Sequence, residues 1–167
     1  MFNNEVYVEG VLEFEVGKLL RERKLQLAVA ESCTGGLIGH RITNVSGSSE
    51  YFAGGFLVYS YEAKVKLLGV SWDTLHAFGA VSGETVLEMA HGAKRALDVD
   101  IAVSVSGIAG PGGGTLDKPV GTTWVGLVAN DVEWAREFYF QGNREQNKAA
   151  SADAALQTIL DYLLGKK

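Results

Sequence analysis

The sequence predicts a three-layer α/β/α fold with a mixed central sheet, built as a single domain over residues 1–167. Segments with helical and strand-like spacing alternate in the first half of the chain, as they do in parallel sheets covered by helices. Two neighbouring strand-like segments near the end, joined by Asn130-Asp131, are typical of a β-hairpin, which adds antiparallel strands. The chain therefore supplies both pairings of a mixed sheet and enough helices for both of its faces.

The elements of the first half follow from hydrophobic spacing and from capping residues. Residues 8–20 carry apolar side chains at helical spacing, and residues 25–30 form a short apolar run typical of a buried strand. The pattern then predicts a helix over 37–42, a strand over 52–59, and helices over 62–68 and 72–78. Ser71 and Ser82 precede helical segments as N-caps, the second of them opening a longer helix.

The second half begins with an apolar strand over 101–106 and a loop rich in glycine and proline. Residues 122–129 and 132–140 form the predicted hairpin. Apolar residues between 149 and 163 recur at helical spacing and predict a C-terminal helix.

The composition argues against several classes of partner. The net charge is -5 and basic residues form no stripe, which argues against binding to duplex nucleic acid. No apolar run reaches the roughly 18 residues that a membrane span needs. Cys33 is the one cysteine, so an internal disulfide is excluded and a reducing compartment fits best. We therefore expect a cytoplasmic protein with neither a nucleic-acid nor a membrane partner.

Ser32 lies where the first predicted strand passes into a helix, within Ala-Glu-Ser-Cys-Thr-Gly-Gly. The helix start offers backbone N–H groups that can hold an oxyanion or a phosphate, and Gly35 and Gly36 allow a ligand to approach the backbone. Two interpretations stay open on this pattern alone. Ser32 or Thr34 caps the helix, which is the commoner role, or Ser32 is a nucleophile.

A serine nucleophile needs a base. His40, His76 and His91 all fall on predicted helices, away from the glycine-rich loops. Lysine is the other known base, and Tyr59 and Lys64 flank the turn after the second strand. Taken alone, Lys64 would be interpreted as a solvated helix lysine.

Two further features are weaker. The loop at 106–115, Ser-Gly-Ile-Ala-Gly-Pro-Gly-Gly-Gly-Thr, can form a nest of N–H groups for an anion or can be a flexible surface loop. It matches neither the P-loop nor the dinucleotide fingerprint. No metal-ligand motif is present, and Cys33 is interpreted as a packing residue or a minor contact in the site.

The order of several motifs is more specific than any one of them. They are AESCTGG (30–36), SGSSEYF (46–52), YSYEAK (59–64), LGV (68–70), GAVS (79–82), SGIAGPGGG (106–114) and KPVGT (118–122). In this order they resemble the CinA C-terminal-domain family of nicotinamide-nucleotide amidases, over nearly the whole chain from about Leu19 to Leu164.

The resemblance implies hydrolysis of the carboxamide of nicotinamide mononucleotide to nicotinic acid mononucleotide and ammonia, without a metal or other cofactor. It implies Ser32 as nucleophile and Tyr59 with Lys64 as the proton-transfer pair. It also implies a homo-oligomer, a dimer or larger. The candidate substrate-binding residues are Cys33, Thr34, Gly35, Gly36, Ser48, Ser49, Gly110, Gly112 and Arg144.

One departure from the family pattern bears on substrate binding. The family has Gly-Asp-Arg near its last strand, whereas this chain has Asn143 in place of the acid, keeps Arg144, and has Lys148 where an arginine is expected. Asn cannot pair with a charge, so we expect weaker orientation of Arg144. A non-catalytic nucleotide-binding or regulatory module, and an amidase for another carboxamide, remain the alternatives.

Overall fold

The computed structural model describes residues 12–166, which form six α-helices and five strands. The helices are α1 (Leu12–Arg23), α2 (Leu37–Thr43), α3 (Tyr61–Leu68), α4 (Trp72–Phe78), α5 (Gly83–Leu97) and α6 (Arg144–Leu163). The strands are β1 (Leu27–Glu31), β2 (Phe52–Leu57), β3 (Ile101–Gly107), β4 (Thr122–Val128) and β5 (Glu133–Tyr139). A short 3-10 turn, Ser48–Glu50, precedes β2.

The five strands form one mixed sheet in the order β2-β1-β3-β4-β5. β1 pairs in parallel with both β2 and β3, whereas β3, β4 and β5 pair antiparallel. The predicted hairpin is thus β4–β5, closed where the Ala129 N–H donates to the Val132 carbonyl. Because β1, β2 and β3 run in the same direction, their carboxyl ends meet at one edge of the sheet, which is where open α/β sheets bind ligands.

Side chains that alternate along the central strands pack against helices on both faces of the sheet. Leu27 and Val29 belong to the core cluster beneath α1, α2 and α6. Ala28, Ala30 and Ala102 belong to the cluster beneath α3, α4 and α5. Both faces of β1 and β3 are therefore buried, as the apolar runs in the sequence predict. The predicted three-layer α/β/α architecture with a mixed sheet is confirmed.

The element boundaries differ from prediction at identifiable places. β2 ends at Leu57, and α6 begins at Arg144, ahead of the apolar residues that predicted it. The earlier start of α6 comes from a capping box, in which the Asn143 side chain accepts from the Gln146 N–H and the Gln146 side chain accepts from the Asn143 N–H. Of the predicted first helix, residues 8–11 lie outside the described residues.

The predicted serine caps are confirmed. Ser71 Oγ accepts from the Asp73 N–H, and Ser82 Oγ accepts from the Thr85 N–H. Among residues 12–166, none of the helices has the length and apolar character needed to cross a bilayer.

Candidate active site

Ser32 follows β1 at the carboxyl edge of the sheet. Its N–H donates to the Val105 carbonyl at 3.0 Å, which extends the β1–β3 ladder by one step and fixes the backbone. Ser32 lies two residues beyond Ala30, so its side chain faces the α3 and α5 layer. There Lys64 Nζ lies 2.9 Å from Ser32 Oγ. The serine is only 8% exposed, so the contact lies in a largely desolvated place.

Lys64 is a buried residue of α3, not the solvated lysine that its sequence context suggests. Its helix begins at the Ser60 cap, whose Oγ accepts from the Ala63 N–H. Lys64 is 1% exposed, and Nζ also donates to the Val58 carbonyl at 2.7 Å and the Tyr59 carbonyl at 3.2 Å. Burial disfavours the charged ammonium and lowers the pKa of Lys64 to about 8.

The three contacts of Lys64 suit a neutral amine as well as an ammonium ion. A neutral amine has two N–H donors and one lone pair, whereas an ammonium ion has three N–H donors. The carbonyls of Val58 and Tyr59 accept the two N–H groups, which leaves the lone pair for the Ser32 hydroxyl. The same three neighbours accept from the ammonium ion. Lys64 can therefore accept a proton from the Ser32 hydroxyl while its three contacts stay in place.

Tyr59 is placed differently from the expectation drawn from the resemblance. Its backbone carbonyl contacts Lys64, but its phenol is on a side chain that is 63% exposed and accepts from Arg144 Nη2 at 3.2 Å. In the described residues no hydrogen bond joins the phenol to Ser32 or Lys64. Tyr59 thus connects the lysine to Arg144, with its backbone on one side and its phenol on the other.

Glu31 is a site residue that sequence reasoning missed. Its buried carboxylate accepts four hydrogen bonds, from the Thr34 hydroxyl and from the N–H groups of Gly36, Ile38 and Gly39. These contacts close the turn that carries Ser32. They also give acceptors to backbone N–H groups at the start of α2, which have none within the helix. The signal in the sequence was an acid directly before the serine, at a position that would be buried.

The Glu31 carboxylate overturns two expectations about the start of α2. Neither Ser32 nor Thr34 caps the helix, because the Thr34 hydroxyl donates to Glu31 and the cap residue Gly36 makes no side-chain bond. The Gly36 N–H is also occupied, so it is not free to bind a phosphate. The prediction of an anion site at this helix start is therefore wrong at Gly36.

Two backbone N–H groups of this turn remain available to an oxyanion. The Gly35 N–H donates to the Ser32 carbonyl at 3.2 Å. Within residues 12–166, the N–H groups of Cys33 and Thr34 have no acceptor. The Cys33 thiol is buried in the core, and that burial raises its pKa to about 11, so it stays protonated and packs.

Two cations of α6 lie at this edge of the sheet, one of them beside the Ser32 turn. Arg144 Nη1 donates to the Gly110 carbonyl at 2.7 Å, and Asn147 Nδ2 donates to the neighbouring Ala109 carbonyl at 3.1 Å. Lys148, one turn further on, has its Nζ 3.5 Å from where a Cβ on Gly35 would lie. Neither cation has a carboxylate partner among the described residues.

The weaker orientation of Arg144 that was expected from Asn143 is not observed. The Asn143 side chain caps α6, a role in which asparagine and aspartate are about equally favourable. Arg144 is instead held by the Gly110 carbonyl and the Tyr59 phenol. The replacement of the acid by Asn143 therefore leaves the position of Arg144 intact.

The structure does not bring all the candidates together. Ser48 and Ser49 precede β2, whereas Ser32 follows the parallel strand β1, so they lie at opposite edges of the sheet. A strand of this length separates them by roughly 16 Å. Gly112 is exposed on the outer part of its loop, with open space around it. Within one chain, Ser48 and Ser49 are not part of the Ser32 site, whereas Gly112 stays a predicted contact.

No histidine contacts Ser32. His40 contacts Asn44, His76 stacks on Trp72, and His91 lies 2.8 Å from the Glu133 carboxylate. Across residues 12–166, no group of three or more histidine, cysteine, aspartate or glutamate side chains is arranged to hold a metal ion. Lys64 is thus the basic side chain that the described structure places on Ser32.

A groove of about 260 Å³ lies between α2 and the outer strand β2. It is lined by Val29, Phe52 and Leu57, with Glu31 at one end. Val29 faces the α1, α2 and α6 layer, so this groove opens on the sheet face opposite to Ser32. We therefore do not assign the substrate to it.

Comparison with known proteins identifies the family of the chain. Residues 10–163 match the sequence profile of the CinA C-terminal domain. A putative competence-damage inducible protein of Halothermothrix orenii is 49% identical over 93% of this chain, and one of Moorella thermoacetica is 51% identical over 90%. The chain spans 38% and 36% of the length of these two relatives.

Solved structures give the same result. A CinA superfamily protein from Klebsiella pneumoniae superposes with a TM-score of 0.91 at 30% identity, covering 95% of this chain and 99% of that one. A competence/damage inducible protein from Agrobacterium tumefaciens superposes with a TM-score of 0.87 at 37% identity, covering 95% and 98%. The chain belongs to the CinA C-terminal domain family.

Proposed function

We propose that this chain hydrolyses the carboxamide of nicotinamide mononucleotide to nicotinic acid mononucleotide and ammonia. The observation that carries the reaction class is the buried contact of 2.9 Å between Lys64 Nζ and Ser32 Oγ. A serine beside a lysine with a lowered pKa is an activated nucleophile of the kind that acyl transfer requires. The substrate assignment rests on the resemblance of the motifs, and the two unpaired cations of α6 support it.

In the first half of the reaction, Ser32 Oγ attacks the carboxamide carbon while its proton passes to the lone pair of Lys64. The carbonyl π electrons move to oxygen, and the N–H groups of Cys33 and Thr34, which have no acceptor among the described residues, donate to the charge that forms. The resulting Lys64 ammonium keeps the carbonyls of Val58 and Tyr59 as acceptors.

In the second half, Lys64 returns its proton to the amide nitrogen as the C–N bond breaks and ammonia leaves. An ester between Ser32 and the nicotinate carbonyl remains. Water then attacks this ester while Lys64 again accepts the proton, and that proton finally restores the Ser32 hydroxyl. The carboxylic acid and ammonia, which leave as carboxylate and ammonium after one proton transfer, balance the carboxamide and water consumed, and the enzyme is regenerated.

Arg144 and Lys148 support the nucleotide part of the proposal. Arg144 is fixed by two neutral acceptors, the Gly110 carbonyl and the Tyr59 phenol, so its charge remains available to an anion. Lys148 lies beside Gly35, in the turn that carries Ser32. Guanidinium and ammonium groups are the usual protein partners of phosphate, so a phosphate between them would orient the substrate.

The test is release of ammonia from nicotinamide mononucleotide by purified protein in the presence of a chelator, with Ser32→Ala as the matched control. We expect turnover by the wild-type protein and a loss on the order of 10³-fold or more in the variant. Absence of ammonia across pH 6 to 9 (about three units, which span the Lys64 pKa of about 8) contradicts the proposal. If the nucleotide then binds both proteins equally in a thermal-shift assay, the non-catalytic module is correct.

The pH dependence follows from the state of Lys64. The neutral amine is the base, so the active fraction grows as pH rises through the Lys64 pKa of about 8 and is lost below it. We expect kcat/KM to rise about tenfold per pH unit on the acid side and to level off above the pKa. A profile that is flat between pH 6 and about 9 would contradict assignment of Lys64 as the base.

Variants of Arg144 and Tyr59 separate binding from chemistry. Arg144→Gln removes the charge, so we expect KM for nicotinamide mononucleotide to rise by about 10- to 100-fold, as expected for losing a charged hydrogen bond. Tyr59→Phe removes only an acceptor of Arg144, so KM is expected to rise by less than tenfold, with kcat near that of the wild type. A large loss of kcat in Tyr59→Phe would show that the phenol moves protons instead.

A further inference from the structure

Ser106 stands next to Ser32 at the same sheet edge and has no part in the mechanism above. β1 and β3 pair with Ala30 opposite Ser104 and Glu31 opposite Val105. The Ser32 N–H donates to the Val105 carbonyl, which continues the ladder and places Ser106 beside Ser32. Neighbouring strands are about 4.8 Å apart.

The two serines also point to the same face. Ser104, two residues before Ser106, donates its hydroxyl to the Val86 carbonyl of α5. Side chains two apart on a strand share a face, so Ser106 faces the α3 and α5 layer, as Ser32 does. Lys64 approaches Ser32 from the side of β2, and Ser106 flanks it on the side of β3.

The Ser106 hydroxyl is not used by the fold. Ser104 has a backbone acceptor, but Ser106 has no hydrogen-bond partner among residues 12–166, although it is only 1% exposed. In the same part of the chain, the Tyr51 hydroxyl is the one fully enclosed side-chain polar atom without a partner. The Ser106 hydroxyl is therefore not fully enclosed, and a nearly buried donor without a partner is costly to keep.

We propose that the Ser106 hydroxyl donates a hydrogen bond to the oxyanion formed when Ser32 attacks its substrate, which makes Ser106 a third oxyanion donor. This inference rests on the proposed function for the identity of that substrate. The Glu31 carboxylate occupies the N–H groups of Gly36, Ile38 and Gly39, so few backbone donors remain for the charge. A hydroxyl fixed on the neighbouring strand supplies the missing donor at no cost in reorganisation.

The first experiment compares Ser106→Ala with Ser104→Ala, its matched control on the same strand and face. We expect Ser106→Ala to lower kcat for nicotinamide mononucleotide by about 10²-fold with little change in KM, because the bond exists only in the transition state. Ser106→Thr keeps a hydroxyl and is expected to recover most of the loss. A kcat within threefold of wild type in Ser106→Ala (a change of about 0.7 kcal/mol or less) overturns the proposal, and so does an effect confined to KM.

A second experiment keeps the inference separate from the substrate assignment. A fluorophosphonate reacts with activated serines, and its phosphoryl oxygen takes the place of the oxyanion. We expect labelling at Ser32, read by mass spectrometry, to be at least about tenfold slower in Ser106→Ala, in keeping with a lost oxyanion donor. If wild-type protein is labelled but releases no ammonia, only the substrate assignment fails, and the labelling rates decide on Ser106. If the wild-type protein is neither labelled at Ser32 nor able to release ammonia, both proposals fall.

Discussion

Replacing Lys64 with methionine is expected to reduce ammonia release from nicotinamide mononucleotide by on the order of 10³-fold or more in kcat. Methionine has nearly the length of lysine and no charge, so it fills the buried space beside Ser32 without an amine. The Ser32 hydroxyl then has no proton acceptor, and an unactivated hydroxyl is a poor nucleophile at neutral pH. The measurement is steady-state release of ammonia at pH 8.5, about half a unit above the lysine pKa.

The same variant tests whether Lys64 is neutral in the folded protein. The pKa of Lys64 is lowered from 10.5 to about 8, so the unfolded chain binds more protons than the folded chain between these values. The wild-type protein therefore gains unfolding free energy as pH rises through this window, and the methionine variant does not. Urea denaturation at pH 7 and at about 10 measures the difference. Near-normal kcat in Lys64→Met, or parallel pH dependence of stability in the two proteins, would contradict the base assignment.

Lys66 supplies the control for this comparison. It lies on the same helix, α3, but on its exposed side, and it has no ion pair within the described residues. Lys66→Met is expected to keep the kcat and the pH dependence of the wild-type protein. A loss of activity in both variants would point to damage to α3 and not to loss of the base.

The sequence predicts the fold well because one physical pattern decides it. A strand that is buried on both faces has a continuous run of apolar residues. Such runs over residues 25–30 and 101–106 predict the strands that the structure shows as β1 and β3. The boundaries of helices and strands are less predictable, since they depend on local hydrogen bonds. α6 starts at Arg144 because of the Asn143 and Gln146 side chains, not because of apolar spacing.

For the candidate site, topology predicts the edge of the sheet at which a residue lies and no finer detail. β1 and β2 are parallel neighbours, so Ser32 and the segment that carries Lys64 follow them at one edge of the sheet, where the structure joins the two side chains. The same topology excludes Ser48 and Ser49, which precede β2 and so lie at the other edge. The order of the motifs along the chain does not show at which edge a residue lies, because it does not distinguish the two ends of a strand.

Side-chain direction is the part that sequence could not supply. The phenol of Tyr59 turns away from Lys64 toward Arg144, a choice of rotamer that no spacing encodes. Glu31 was overlooked because charged residues are seldom fully buried unless they are paired. Here four hydrogen-bond donors replace the ion pair, and they become visible only when the turn after β1 is folded.

Glu31→Gln is expected to lower the free energy of unfolding by about 3 kcal/mol and to reduce kcat at least about tenfold in the molecules that stay folded. One carboxylate oxygen accepts from the Thr34 hydroxyl and from the N–H groups of Gly36 and Ile38, and the other accepts from the Gly39 N–H. An amide has one oxygen and one NH₂ group, so in either orientation at least one buried donor faces another donor. The favourable charge at the start of α2 is lost as well.

The expected loss of activity follows from where this carboxylate sits. Glu31 fixes the turn from Ser32 to the start of α2, so donors left without an acceptor must move the backbone that carries the nucleophile. Urea denaturation gives the stability change, and ammonia release in the absence of urea gives kcat. Glu15 is an exposed residue of α1. The Glu15→Gln variant is expected to have a free energy of unfolding within about 0.5 kcal/mol of the wild-type value and to keep full activity. If Glu31→Gln behaves like Glu15→Gln, the carboxylate does not hold the Ser32 turn, and the alignment of Ser32 with Lys64 must come from β1 and α3 alone.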